Sequence, residues 1–459
     1  MNDYLNEKID NKGLIKLNDF PSLSYAKDYE FITETQDHSL SAVGYLDKKN
    51  YYYLNLIASF NSYNREKNAY FRYLNKNTKK DTLDPIDSDT ISFQAWNIRA
   101  TLASQYKKKI DFQAGLEFRY DYTTGGRINQ KQASLGDFAI FANLRYKPIS
   151  RLVINAGVRV AYNTLSRLPI TYSTGAKWNI MDGMNLRFSY ARGIRTPSLK
   201  ELYLNFVDVN HNIVGNPDLK PEYAHNFRLG WTYNKAFQGE HIVNISLGSF
   251  YNYIEDQITL FTYIVDSLGN YQLDAQSNTY AYFNLDKYQN WGVDAKLKYQ
   301  YKGLTVRAGA MLIGHYNSLN EKYKEEIKPF TYTLEFTQEV SYSFKKIDLT
   351  LSLFRRDYDK QIRYAAIVNP MTQETVFEQN TTDGYGLMDF NISKGFFNKG
   401  ISITAGVKNL LDVINVNQSS NSSVAHGGGG NGGSFAVGMG RIYFLRLVCQ
   451  PFKFKKAML

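Results

Sequence analysis

The residues best suited to chemistry crowd into one stretch of this chain. Arg195, Glu201, Asp218, Lys220 and Glu222 supply charges able to pair with one another and brace a long loop. His211 stands among them, between Asn210 and Asn212. Its imidazole suits iron, while the triplet also reads as solvent-facing turn sequence. His426 heads the run HGGGGNGGS. Metal and enzyme motifs mostly fail on inspection. Asp208, Asn210 and Asn212 match the first calcium-loop ligands, but Ile213 replaces the required glycine and Leu219 the bidentate glutamate. Gly428, Gly430 and Gly433 meet a dinucleotide fingerprint only because nearly everything there is glycine. Gly395 to Gly400 has phosphate-loop spacing, but Ile401 stands in place of the lysine. No G-x-S-x-G, H-E-x-x-H or C-x-x-C occurs, so neither an enzyme nor a bound cofactor is expected.

The elements that must hold these residues are strands. Leu186, Phe188 and Tyr190 alternate with Arg187 and Ser189, and Phe227, Leu229, Trp231 and Tyr233 alternate with Arg228, Gly230 and Thr232. Between them runs a long excursion. Thr196, Pro197 and Ser198 place a capping hydroxyl and an N1-type proline before LKELY, enough for one or two helical turns. Gly215 to Asp218 then forms a turn, and Pro221 blocks further helix.

Composition narrows the class. The 459 residues include 37 Tyr and 28 Phe against one Cys, which excludes a disulfide framework. Mean hydropathy is −0.42, and no run is apolar enough for a spanning helix, so a membrane reading requires a barrel. The net charge of +11 invites nucleic acid, but no basic run supports it. Many cations sit at turns such as Lys107 to Lys109, Lys345 and Lys346, so nucleic acid is not an expected partner.

From Asn50 onward, two-residue alternation recurs with links that are long and short in turn. Short links fall at Asn64 to Glu66, Lys107 to Lys109, Lys147 to Ile149, Met181 to Gly183, Lys235 to Gly239, Lys302 and Gly303, Lys345 and Lys346, and Phe396 to Lys399. Ser166 to Pro169 is a short link in a long position. About 17 to 18 strands result, with Tyr29 to Tyr45 ambiguous and an extra hairpin between Tyr253 and Tyr280. Arg355 to Asp383 reads as loop. The expected fold is all-β, a transmembrane antiparallel up-and-down barrel over residues 1–459. Asn155, Arg159, Arg187, Asn244, Ser246, Asp294, Lys296, Lys298, Asp348, Thr350 and Thr404 would line its inside.

RTPSLKELY and GNPDLKPE, set between two such strands, resemble the barrel boxes of TonB-dependent outer-membrane receptors. GVKNLLD at Gly406 to Asp412 and GRIYFLRL at Gly440 to Leu447 are similar to that family's closing strands. The resemblance covers most of the chain. It implies a bacterial outer-membrane receptor for energy-coupled uptake of a scarce ligand, a ferric siderophore or haem first, with cobalamin or an oligosaccharide open. Its implied partners are outer-membrane lipid, an extracellular iron chelate or haem, and the TonB complex acting through a plug. A passive porin or scaffold is the alternative, and an outer-membrane hydrolase the third reading. In haem receptors of the family a histidine at the place of His211 is an axial ligand, so His211, Asn210, Arg195 and His426 are the expected ligand contacts. Family barrels have 22 strands, four more than are read here. No plug and no export signal are read, so the chain is expected to be the C-terminal portion of a longer receptor. The tail KFKKAML runs past Phe452, the aromatic type of residue on which such barrels usually end.

Overall fold

Alternation along each segment makes strands, and register makes one sheet. The computed structural model describes residues 2–9, 25–73, 78–82, 88–104, 109–207, 212–265, 271–273, 279–316, 328–368, 375–397, 400–419 and 433–450. Eighteen long strands follow one another. They are β1 (Asn2–Ile9), β2 (Tyr25–Tyr45), β3 (Tyr52–Tyr73), β4 (Asp89–Ser104), β5 (Ile110–Gly125) and β6 (Gln132–Ile149). β7 (Leu152–Asn163), β8 (Thr171–Met181), β9 (Met184–Arg195), β10 (Glu222–Phe237), β11 (His241–Val265) and β12 (Tyr280–Tyr301) continue the run. β13 (Leu304–Tyr316), β14 (Phe330–Phe344), β15 (Leu349–Tyr358), β16 (Tyr385–Phe396), β17 (Ile401–Lys408) and β18 (Ile442–Cys449) complete it. Each is antiparallel to the next. Four short segments, Thr78–Asp81, Phe206–Val207, Asn212–Val214 and Tyr271–Leu273, are appended to the same sheet. No ladder joins β1 to β18 among the described residues.

Directly opposed residues share a face, so one parity can be followed through the sheet. The outer parity is apolar and bare: Leu116 is 57% exposed, Ile140 64% and Leu445 75%. Such a surface belongs in hydrocarbon rather than water. Rings border it at both levels. Near the short turns, Tyr52 meets Phe112 (6.3 Å between centres), His241 lies on Tyr301 (4.1 Å) and Tyr342 meets Phe344 (4.7 Å). Toward the long loops, Phe60 meets Trp96 (5.0 Å), Phe118 meets Phe138 (5.0 Å), Tyr190 meets Phe227 (4.8 Å) and Trp291 meets Tyr332 (6.1 Å). These two belts are the interface girdles of a membrane barrel.

The inner parity is polar. Arg99 and Arg159 both pair with Glu117, at 3.2 and 3.1 Å, while Arg145 pairs with Asp111 and Lys296 with Asp294. Asn155, Arg159, Arg187, Asn244, Ser246, Asp294, Lys296, Lys298, Thr350 and Thr404 share this face, as their alternation implies. Asp348 does not. It ends the 3-10 turn Lys345–Ile347 in a left-handed conformation, φ 49°.

The structure corrects three boundaries. Asn64 to Glu66 is no link, because β3 runs through it as one strand. The link lies instead at 46–51, where the Asp47 carboxylate accepts from the Lys49 and Tyr52 N–H groups. Tyr29 to Tyr45 is strand. Between Tyr253 and Tyr280, β11 and β12 extend, pairing up to Thr262 and Tyr280, and the expected hairpin follows beyond them, Tyr263–Val265 pairing with Tyr271–Leu273. Arg355 to Asp383 begins inside β15 and holds a separate hairpin, Gln361–Val368 with Thr375–Thr382.

Candidate functional site

The excursion between β9 and β10 folds as a braced loop. Ser198 caps the short helix α1 (Leu199–Tyr203), its Oγ accepting from the Glu201 N–H while the Glu201 carboxylate accepts from the Ser198 N–H. Pro197 therefore precedes the cap rather than opening the helix. Arg195 ends β9 and donates to both carboxylate oxygens of Glu201 (3.0 Å each) and to Glu222 (2.5 Å) at the start of β10. Glu222 also accepts from the Ile258 N–H at 2.8 Å, tying the brace to β11. Burial opposes Glu201 ionisation, yet the Ser198 N–H and the Arg195 guanidinium hold its pKa below the usual carboxylate range. The same carboxylates push Arg195 further up.

Below the brace, Leu202, Leu219 and Ile258 form a small buried cluster with Tyr203 and Tyr282 packed on it. Asn216 stitches the turn: its amide donates to Tyr282 O (2.8 Å), and its Oδ1 accepts from the Asp218 N–H (3.0 Å). Asn284 Oδ1 accepts from the Lys220 N–H at 2.8 Å. The side chains of Asp218 and Lys220 take no part in the brace. Beyond α1, Val207 pairs with Asn212, and Asn212 donates to Thr279 Oγ1 at 2.8 Å. Asp208, Asn210, His211, His426 and the glycines at 428 and 430 lie outside the described residues.

A second feature lines the mouth. β2 and β3 continue beyond the upper ring belt, and their inner parity there alternates cations with rings. Arg65 lies 4.5 Å from the Phe31 ring centre, Lys67 4.9 Å from Tyr29, and Lys27 6.0 Å from both Tyr29 and Phe71. The Arg65 Nε is buried and meets no hydrogen-bond acceptor among the described residues. Deeper on the inner wall, Lys177 opposes Arg187, and Arg228 opposes Ser189. None of these three cations meets a carboxylate among the described residues. The sequence did carry a signal for the mouth strip, in the two-residue spacing of Lys27, Tyr29 and Phe31 and of Arg65 and Lys67. Chemically, such a wall attracts an anion that also presents flat π surface.

Comparison with known proteins agrees with this architecture. The FrpB iron transporter of Neisseria meningitidis superposes with a TM-score of 0.57 at 13% identity, over 92% of this chain and 69% of that one. A ferric enterobactin receptor of Pseudomonas aeruginosa gives 0.60 at 14% identity, over 93% and 67%. At these identities the likeness is one of fold. In sequence, a probable hemoglobin and hemoglobin-haptoglobin-binding protein of Haemophilus influenzae is 26% identical over 124 residues, 27% of this chain. The chain spans only 12% of that relative's length. The family model for the TonB dependent receptor-like β-barrel matches residues 3–410, and with strands, ring belts and a polar interior of that design, the chain belongs to this family.

Proposed function

We propose that the chain forms the outer-membrane barrel of a receptor that captures an anionic iron chelate or haem at its extracellular mouth for TonB-coupled uptake. The observation that carries this reading is the strip of Lys27, Tyr29, Phe31, Arg65, Lys67 and Phe71, where each cation stands over a ring. Ferric catecholates and haem combine negative charge with aromatic faces, so both features of the strip are used at once. The inner-wall cations Lys177, Arg187 and Arg228, which meet no carboxylate among the described residues, continue the same sign inward. In this reading His211 and Asn210 contact the ligand from the excursion, His426 contacts it from the loop before β18, and Arg195 acts through the loop that it braces.

Support comes also from the ligands for which proteins of this fold are named, iron and ferric enterobactin, and, for the sequence relative, hemoglobin. The test is ligand binding and uptake by cells carrying the chain. Arg65→Ala with Lys67→Ala is expected to weaken ferric enterobactin or haem binding about tenfold, the loss of one or two cation contacts to an anion. Unchanged binding of both would remove the strip from the capture site. Uptake that a protonophore leaves untouched would make the barrel a passive pore instead.

A further inference from the structure

Eight short turns make one rim of the sheet, the periplasmic one in barrels of this design. Seven of them carry a cation in the turn or near the strand end beside it, Met181–Gly183 being the exception. Lys48, Lys49, Lys302, Lys345 and Lys346 lie in the turns themselves and are exposed. No cation at this rim forms an ion pair with a described residue. The carboxylates in the turns are fewer. Asp47 is engaged by the Lys49 and Tyr52 N–H groups, and Asp182, Glu240 and Asp348 complete the set.

Three lysines show the depth at which these charges end. Lys235 on β10 and Lys394 on β16 point outward, one outward position inside Phe237 and Phe396. Their amino groups bend toward the rim: Lys235 Nζ lies 5.1 Å from the Phe237 ring centre and Lys394 Nζ 5.7 Å from that of Phe396. Lys394 Nζ also donates to Ile347 O in the neighbouring turn. Lys302 Nζ lies 5.1 Å from the ring centre of Tyr301, a member of the lower belt. Each stem thus follows the apolar wall and each ammonium ends at the rings, where acyl chains give way to headgroups. The other outward charges between the belts, Arg355 and Asp357 on β15, pair with each other. The opposite rim is mixed in sign: above the upper belt, outward positions hold Glu34, Glu66 and Glu255 as well as Arg192 and Lys287.

We propose that the short-turn rim is a basic collar that binds the phosphate headgroups of anionic phospholipids in the adjoining leaflet. Its sign complements a phosphate, and its distribution selects the occupant. The cations recur in turns all along the sheet, from Lys48 beside β2 to Lys394 on β16, as lipid surrounds a barrel on every side. An acidic protein would meet one sector of the rim and leave the rest unused. An ammonium at the edge of a bare apolar wall also suits a molecule with a phosphate at one end and an acyl chain below it. The proposal rests on the barrel spanning a bilayer and is independent of the ligand taken at the mouth.

Spin-labelled lipids test it. The folded chain, in mixed micelles of dodecyl maltoside and phosphatidylcholine, receives a trace of spin-labelled phosphatidylglycerol or of spin-labelled phosphatidylcholine, and the motionally restricted fraction of each is read. The parent is expected to hold phosphatidylglycerol roughly fivefold over phosphatidylcholine at low salt. Most of that preference should vanish near 1 M salt, where charges are screened within about 3 Å. Lys235→Gln, Lys302→Gln and Lys394→Gln together should lower it to about twofold or less, and the matching set of arginine substitutions should keep it. Arg192→Gln with Lys287→Gln, at the other rim, should leave it unchanged. Gel mobility that shifts on heating marks a folded barrel in every case. The proposal is overturned if the folded parent shows no preference, if salt or the glutamine set leaves the preference intact, or if the pair at the other rim lowers it as much. Displacement of the labelled lipid by polyglutamate would also overturn it, and would give the rim to an acidic polypeptide. A parent with no heat-sensitive mobility would overturn the barrel-in-membrane reading itself, and the collar with it.

Discussion

Arg195 holds two glutamates at once, so the two ends of the excursion share a single guanidinium. Its side chain is 43% exposed, and solvent screens the pairing. Arg195→Ala is therefore expected to cost the loop only about 1 kcal/mol, or roughly fivefold in its locally unfolded population. Limited proteolysis within 196–221 would report that change, and an unchanged cleavage rate would show that the brace contributes nothing. Glu201 adds a pH dependence of definite sign. Its folded pKa lies below the ordinary value of 4.5, so its contribution is complete only well above that value and is lost as pH falls from there through the lower folded value. Hydrogen exchange in α1 should thus be flat from neutral pH down to about 5.5, after correction for intrinsic rates, and accelerate below it. For His211, a haem Soret band and affinity identical in His211→Ala would exclude it as an axial ligand.

At the scale of elements, the strands were legible because grease and water alternate along them, and the turns because charges and glycines interrupt that alternation. The same rule misled at Asn64 to Glu66 and at Arg355. A charged pair reads as the end of a strand only while one side of the strand faces hydrocarbon. Above the upper belt both faces of β3 are wet, so polar residues fill successive positions without ending the ladder. On β15 the polar residues lie on the membrane face itself, which no period rule anticipates. The brace was legible as a set of pairable charges, but its support was not. Leu202, Leu219 and Ile258 meet only when β11 and β12 rise alongside the excursion. Turns carry their own constraint. Gly183 joins β8 to β9 with φ +81°, and a Cβ there would lie 2.0 Å from Asn234 O on β10. Gly183→Ala is expected to destabilise the sheet by about 2 kcal/mol, from left-handed strain together with that clash. A folded yield and heat-modifiable fraction equal to the parent would contradict this.

Taken whole, the molecule is one antiparallel run whose outside and inside differ in every strand with described side chains. A one-residue slip anywhere would exchange inner Arg and Lys for outer Leu and Val, so register and orientation support each other around the wall. The distance between its belts has a further consequence. On β6, Tyr146 marks one level and Phe138 the other, a stretch of strand that spans only about 20–25 Å of height once its tilt is allowed for. An average hydrocarbon slab is roughly 30 Å thick. Lauroyl vesicles should therefore accept the refolding chain faster than oleoyl ones, because thicker acyl layers would have to pinch around it. A sorting preference for thin membranes is thereby written into the spacing of two tiers of rings.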